Sequence, residues 1–227
     1  MKKILIVAAH PDDDILGCGG IISKYQSRGV IFKILFIGEG STARFEDADS
    51  EEAKDAIEYR NSLALKALKF LKVKDVEFSN LACGRFDQIP IIEINKIIEK
   101  NIKDFDPDTI LTHSPVDANN DHKIVFNATI MATRPGALNH VNKLMSFEVL
   151  SSSEWAFTDT FKPNYFEELD EFHLEAKSHA LSIYESEIKK YPFPRSVEGV
   201  RVLAKMRGMQ SGFKYAEAFN IIRVLKK

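Results

Sequence analysis

The chain has 227 residues, 44% hydrophobic and 28% charged, which is the composition of an ordinary globular protein able to bury a core. Its formal net charge of −2 provides no overall attraction to nucleic acid or to an anionic membrane, and neither partner is expected. No stretch approaches the roughly 18 consecutive apolar residues that a membrane span requires, so membrane insertion is not expected. Because the chain has only two cysteines and no disulfide-rich pattern, a reducing, cytoplasmic compartment is favoured.

Apolar runs of strand length alternate with helically periodic segments along the first two thirds of the chain. In chain order, the predicted elements are strand 3–9, helix 15–28, strand 30–37, helix 50–71, strand 73–78, helix 90–105, strand 109–112, helix 121–133 and strand 145–150. The polar, glycine-containing segment 38–50 is predicted to be a loop of the kind that borders active sites. The last third is predicted to contain a long helix over 167–189, a break at "YPFPRS", a helix ending at Arg207 and a final segment "YAEAFNIIRVL".

This alternation predicts a Rossmann-like α/β fold, in which a mainly parallel sheet has helices on both faces. No shift in composition separates the last third from the rest, so residues 1–227 are predicted to form a single domain. Ligands of such sheets bind beyond the carboxyl ends of the strands. His10 and His113 each follow a predicted strand, and both are expected to face that crevice.

Two polar segments contain the residue types of a metal site. The first is "HPDDD", residues 10–14, at a predicted strand-to-helix turn. Histidine nitrogen and carboxylate oxygen are both zinc ligands, and a divalent ion would offset the cost of crowding three carboxylates. Successive side chains of a turn point in different directions, so at most two of the aspartates are expected to reach one ion. The third is expected to cap the helix near Asp14.

The second segment is "HSPVDANNDHKIV", residues 113–125. His122 is a candidate third ligand, since two histidines and one carboxylate are typical of catalytic zinc. Asp121 is expected to orient a histidine through its second ring nitrogen. The alternatives are a capped turn with solvated carboxylates at 10–14 and a structural role for His113. The occurrence of both segments at predicted strand ends favours the metal site.

The motif "AHPDDD", followed by "GCGG" and later by "HSPVDANNDH", resembles the LmbE-like (PIG-L) family of zinc-dependent deacetylases of N-acetylated amino sugars. The similarity continues in "RPGALNHVNKLMSFEVLSSSEW", "YESEIKKYPFPRS" and "RGMQSGFKYAEAF", and thus covers nearly the whole chain. It implies the LmbE-like fold, Zn²⁺ or another divalent ion, a small-molecule amino-sugar substrate and assembly as a homo-oligomer, a trimer or a hexamer.

The resemblance also implies roles for individual residues. Asp12 would be the general base, which takes a proton from water and can return it to the amine. Asp121 would lie behind the catalytic groups, and Asp14, at the family's glutamate position, would support the turn. The implied metal ligands are His10, Asp13 and His122.

Asn119 departs from the family pattern, because many members have a histidine at this position, three residues before the ligand histidine. Asparagine can donate a hydrogen bond to a developing oxyanion but cannot act as a general acid. Two proton routes are therefore open at this point. Either Asp12 moves the proton in both directions, or a nearby group such as His113 replaces the missing acid.

The substrate-binding candidates are Arg60, Arg85, Asp87 and His113. Arg60 lies where the family often has an arginine that contacts the sugar, and its alternative is an exposed helix face. Arg85 and Asp87 follow a predicted strand and could bind sugar hydroxyls. Three further arginines would suit a phosphate or nucleotide, or else be surface charges: Arg134, Arg195 and Arg207.

The predicted function is removal of an acetyl group from an N-acetylglucosamine-type sugar, which is free, nucleotide-linked or lipid-linked, by metal-assisted amide hydrolysis. One alternative is an amidase of a sugar conjugate on the same scaffold. Another is a non-catalytic metal-binding protein, which Asn119 favours. A nucleotide-binding Rossmann module is disfavoured, because no G-x-G-x-x-G follows the first strand.

Overall fold

A computed structural model describes residues 1–136 and 141–226. The segment "RPGALNHVNKLMSFEVLSSSEW", which resembles the family, therefore lies only partly within the described residues, because 137–140 are outside them. The strands and helices are, in chain order, β1 (Lys3–Ala8), α1 (Asp13–Gln26), β2 (Ile31–Gly38), α2 (Glu51–Phe70), β3 (Asp75–Leu81), α3 (Ile91–Phe105), β4 (Thr109–His113), α4 (Asn120–Ala132), β5 (Lys143–Phe147), β6 (Tyr165–Leu169), α5 (Glu171–Ser182), α6 (Val197–Ser211) and β7 (Tyr215–Val224). No helix in these two segments is both long and apolar enough to span a bilayer.

All seven strands form one sheet in the order β3-β2-β1-β4-β5-β7-β6. Strands β1 to β5 pair in parallel, whereas β7 is antiparallel to both of its neighbours. The strand order reverses between β1 and β4, which is where ligands of open α/β sheets bind. The prediction of a Rossmann-like, mainly parallel sheet is therefore confirmed.

Helices cover both faces of the sheet, as predicted. Alternate side chains of β1 enter opposite cores, because successive residues of a strand point to opposite faces. Ile4 and Ile6 pack in the core formed with α1, α2, α5 and α6, and Leu5 and Val7 pack in the core formed with α3 and α4. Because β1 is apolar on both faces, the first polar side chains after it come only at the turn that ends the strand.

The prediction of one long helix over 167–189 is wrong. Residues Tyr165–Leu169 form strand β6, which pairs with β7, and helix α5 occupies only Glu171–Ser182. The local sequence is rich in helix formers, but pairing with β7 overrides that propensity. Asp170 marks the boundary, since its side chain accepts a hydrogen bond from the His173 amide and caps α5. The nine elements predicted in the first two thirds all occur, with ends displaced by no more than three residues, and the helix predicted to end at Arg207 continues to Ser211.

A buried ion pair links α1 to α5 and β7. Lys177 Nζ lies 2.6 Å from Glu217 Oε1, and both side chains are 5% exposed. Glu217 also accepts hydrogen bonds from the Gly20 and Ile21 amides, while Lys177 donates to the Leu16 carbonyl. The pair therefore sets the position of α1, the helix that follows the "HPDDD" turn.

We predict that Lys177→Met destabilises the protein by about 3–5 kcal/mol, because it leaves the Glu217 carboxylate buried without a cation. Lys96→Met, at an exposed position of α3, is the matched control and should change the free energy of unfolding by less than about 0.5 kcal/mol. Urea denaturation measures both values. Equal effects of the two substitutions would show that the buried pair does not determine the position of α1.

Candidate metal centre and catalytic pocket

The turn between β1 and α1 buries all three aspartates. The Asp12 backbone has φ 111°, a strained conformation for a residue with a side chain and one typical of functional sites. The Asp12 carbonyl accepts from the Ile15 and Leu16 amides, so α1 begins at Asp13. Asp13 braces the turn, since its Oδ2 accepts a hydrogen bond from the His10 amide at 2.8 Å.

Asp14 does not cap or brace the helix, in contrast to the prediction. Its side chain is fully buried, and neither carboxylate oxygen has a hydrogen-bond partner among the described residues. Burial, and then the charge of Asp12, raise the pKa of Asp14 to about 8. At neutral pH this carboxyl is therefore mostly protonated and adds little negative charge to the turn.

The structure brings together the three predicted metal ligands. His10 Nδ1 and His122 Nε2 lie 3.6 and 3.4 Å from Asp13 Oδ2. One ligand atom from each residue lies within 4.8 Å of the others, and all three side chains are buried. This set of two imidazoles and one carboxylate is suited to zinc or another divalent transition metal.

Each candidate ligand histidine contacts a carboxylate through the ring nitrogen that does not face Asp13. His10 Nε2 is 3.0 Å from Asp121 Oδ2, and His122 Nδ1 is 3.2 Å from Asp117 Oδ1. Asp121 also accepts from the Gly84 amide, and Asp117 accepts from the Asn119 amide. A carboxylate on the second nitrogen of each ligand histidine is the usual support of a metal centre. Asp121 was expected in this role, whereas Asp117 was missed although it lies in the quoted segment 113–125.

The electrostatics of the cluster favour positive charge. Burial alone would lower the pKa of His10, but the hydrogen bonds that its ring donates to Asp121 and Cys83 raise it to about 10. For His122, the charge of Asp13 and the hydrogen bond to Asp117 outweigh burial and raise the pKa to about 9. Although burial opposes it, the imidazoles hold the pKa of Asp13 far below its usual range. A divalent cation would satisfy the same carboxylates, so the residues present fit a metal ion.

Asp12 faces arginines instead of the imidazoles. Arg60 Nη2 lies 3.2 Å from Asp12 Oδ1, and Arg195 Nη1 donates to Asp12 Oδ2 at 2.8 Å. Burial raises the pKa of Asp12, and the two guanidinium charges oppose that rise. Both arginines also contact Glu187, which is 2% exposed and accepts two further hydrogen bonds from Arg44. Glu187 and Arg195 lie in the quoted segment "YESEIKKYPFPRS", but their contact with Asp12 was not predicted.

Arg60 is 4% exposed, which excludes the alternative of an exposed helix face. Its Nε and Nη2 donate to the Pro11 carbonyl at 3.0 and 2.8 Å, and its Nη1 donates to the Gly40 carbonyl. Every guanidinium nitrogen therefore contacts the protein. These contacts fix the turn and the carboxylate of Asp12.

The candidate ligands and Asp12 open onto a pocket of about 160 Å³. Asn119 lies on its wall and caps α4, because its Oδ1 accepts from the Asp121 amide at 2.9 Å. Because the side-chain oxygen of Asn119 is used by the cap, only its NH₂ group can form a hydrogen bond with a molecule bound in the pocket. Other residues on the wall include His10, Asp12, Asp13, Arg60, Cys83, His122 and Arg195, so the predicted substrate-binding Arg60 lines the pocket.

The remaining candidates do not line this pocket, although His113 Nε2 lies 3.4 Å from Asp13 Oδ2 and its ring stacks on His122. His113 is fully buried, and its Nε2 accepts a hydrogen bond from the Ala9 amide at 2.8 Å. Burial, and then the charge of His122, lower the pKa of His113 to about 3, so the imidazole is neutral. Its hydrogen bond with the Ala9 amide fixes the backbone at the start of the turn. Arg85 precedes the short helix Phe86–Gln88 and Asp87 lies within it; both are exposed, and neither is among the described residues that line the pocket. Their roles in substrate binding stay predictions.

Residues 5–133, more than half of the chain, match the PIG-L family, described as GlcNAc-PI de-N-acetylase. Diacetylchitobiose deacetylase of Thermococcus kodakarensis is 26% identical over 231 residues, covering 98% of this chain and 84% of the relative. A deacetylase of Escherichia coli K12, named YaiS and described as uncharacterized, is 27% identical over 191 residues, covering 82% of this chain and 91% of its own. A similar solved structure is N,N'-diacetylchitobiose deacetylase from Pyrococcus horikoshii in complex with its inhibitor MPG. The two structures superpose with a TM-score of 0.80 at 21% sequence identity, over 98% of this chain and 84% of the other, and therefore share the same fold.

We predict that Asp117→Asn weakens zinc binding by about 10- to 100-fold, because the His122 ring loses its anionic support. Asp87→Asn, in the exposed short helix Phe86–Gln88 outside the pocket lining, is the control and should leave zinc affinity unchanged. Competition with a chromophoric chelator measures both affinities. Wild-type affinity in Asp117→Asn would contradict the assignment of His122 as a supported ligand.

Proposed function

Because the chain belongs to the PIG-L family and is an enzyme, a hydrolase of the deacetylase type, we propose that it removes the acetyl group from an N-acetylated amino sugar. The proposed metal is zinc, held by His10, Asp13 and His122. Family membership and the deacetylase relative favour an enzyme over the alternative of a non-catalytic metal-binding protein.

The observation that supports this function most directly is the position of Asp12 beside the ligand cluster. Asp12 and the three candidate ligands line the same pocket, at the carboxyl end of β1, yet Asp12 is bound by arginines and not by the imidazoles. A divalent ion in the cluster supplies Lewis-acid polarisation of a carbonyl and acidifies water. Asp12 remains available to move a proton at the reacting centre.

In the proposed mechanism, Asp12 accepts the proton of the attacking water. Arg60 and Arg195 hold the carboxylate in place for this transfer. The NH₂ of Asn119 donates a hydrogen bond to the oxyanion as the carbonyl carbon becomes tetrahedral. Asp12 then returns the proton to the leaving amine, because Asn119 cannot act as an acid and His113 is neutral and buried.

The proposed substrate is an N-acetylglucosamine-type sugar. The support is the activity of two similar proteins, the diacetylchitobiose deacetylases of Thermococcus kodakarensis and Pyrococcus horikoshii, together with the family description, which names a GlcNAc derivative. An amidase of a sugar conjugate on the same scaffold is the alternative. Acetate release from N-acetylglucosamine and its glycosides, compared with hydrolysis of other sugar amides, separates the two.

The single-domain organisation of 1–227, the trimeric or hexameric assembly and the cytoplasmic location stay predictions from the sequence. Sedimentation velocity of the full chain measures the assembly. Both Cys18 and Cys83 are free thiols in the structure, in keeping with a reducing compartment.

We predict that Asp12→Asn keeps bound zinc but lowers kcat for acetate release by about 10²- to 10⁴-fold, because an amide cannot accept the water proton. His122→Ala should lose zinc and activity together, and chelator treatment of the wild-type protein should abolish activity until zinc is restored. Metal analysis and an acetate assay on the same samples separate these cases. Full activity in Asp12→Asn would refute its assignment as the base.

We predict that Asn119→His does not raise kcat, because Asp12 already moves the proton in both directions. The variant also loses the side-chain cap of α4, which costs about 0.5–2 kcal/mol of stability. Acetate release measured from pH 6 to 9 tests this. A rise of about tenfold or more would mean that the natural site lacks an acid, and would contradict the proposed proton route.

A further inference from the structure

A second cavity, of about 600 Å³, adjoins the catalytic pocket. Val149 lines both, and three pairs of chain neighbours continue the wall from one to the other: Leu150 with Ser151, Ser153 with Ser152, and Pro194 with Arg195. The lining of the second cavity is largely apolar. Its apolar side chains include Leu150, Phe161, Tyr191, Val202, Leu203 and Met206.

The catalytic pocket by itself is small for a substrate. Its volume of about 160 Å³ is below the roughly 300–1,000 Å³ of typical small-molecule sites. It can accept the acetamido group and part of a sugar ring, and the rest of the substrate must extend along the wall. The second cavity lies directly along that wall.

Arg207 and Glu148 of the second cavity form an ion pair, and the Glu154 carboxylate accepts hydrogen bonds from the Ser151 and Ser152 amides. Arg207 Nε donates to Glu148 Oε1 at 2.7 Å, the two side chains are 7% and 12% exposed, and the guanidinium lies 5.8 Å from the ring centroid of Phe161. Arg195, at the boundary, is bound to Asp12 and Glu187. All three guanidinium nitrogens of Arg207 are engaged by Glu148 and Gln210, which argues against the nucleotide role considered for this arginine.

We propose that the second cavity, named here the aglycone pocket, binds an apolar alkyl or aryl group joined to the amino sugar through a glycosidic bond. The inference rests on the proposed deacetylase function and specifies its substrate class. Val202 and Met206, 50% and 41% exposed on α6, would become covered by such a group. Each methylene that is fully buried strengthens binding by about fourfold.

The test compares the octyl and methyl β-glycosides of N-acetylglucosamine on the zinc-loaded full chain. We expect kcat/KM for the octyl glycoside to exceed that for the methyl glycoside by at least tenfold, through a lower KM. Met206→Glu should reduce this ratio to about one, because a charge replaces apolar lining. Met209→Glu is the matched control, since Met209 lies on the same helix, is 78% exposed and is outside the lining.

Fluorescence provides a measurement that does not depend on catalysis. Trp155 is the single tryptophan of the chain and packs against Phe193, with ring centroids 5.8 Å apart. Its neighbour Glu154 lines the aglycone pocket, as do the residues on either side of Phe193. Titration with the octyl glycoside, below its critical micelle concentration, should give a saturable blue shift in wild type and Met209→Glu but not in Met206→Glu.

Each other outcome is decisive. Acetate release at equal kcat/KM from both glycosides, without a fluorescence change, overturns the aglycone pocket and leaves the deacetylase function standing. A saturable shift without acetate release supports the pocket and counts against the proposed function. Higher kcat/KM for a nucleotide-linked sugar than for the octyl glycoside overturns the pocket. Self-association that Met206→Glu abolishes, with no response to the glycoside, assigns this face to a contact between copies and also overturns it.

Discussion

The compensation of negative charge at one buried turn organises this site. Asp12, Asp13 and Asp14 are all at most 3% exposed, and three ionised carboxylates could not be buried there without cationic partners. Each is accommodated differently. Asp13 faces the imidazoles of the candidate metal centre, Asp12 contacts two guanidinium groups, and Asp14 has a pKa of about 8 and is mostly neutral at pH 7.

This division gives the three aspartates different chemistry. The carboxylate surrounded by imidazoles suits metal binding, whereas the carboxylate held by Arg60 and Arg195 is kept apart from the ligand set and can move a proton. Helix α4 completes the arrangement at its first turn, since it supplies a candidate ligand, His122, and the carboxylate behind the other histidine, Asp121. A single strand-end crevice therefore contains all of the proposed reaction chemistry.

Much of this could be predicted from the sequence, and the failures have physical causes. Periodicity located the strands of the parallel sheet and the helices beside it, and two motifs contained the candidate ligands. The helix predicted over 167–189 failed because pairing with β7 outweighs local propensity. The full burial of Asp14 and His113 was not predicted, because burial depends on what packs over a residue and not on the residue itself. Glu187 gave no local signal, since its importance comes from three arginines that meet only in the folded chain.

The sequence by itself determined the elements and the types of ligand, because periodicity, turn residues and donor atoms are properties of neighbouring positions. Only the tertiary structure decided the partners. His10 meets Asp121 across 111 positions of the chain, and Arg195 meets Asp12 across 183. It also decided that the catalytic pocket continues into an apolar cavity, whose lining comes from separate segments after β5 and from α6. Charge compensation and cavity shape depend on which distant groups face one another, and sheet order and helix packing set those encounters.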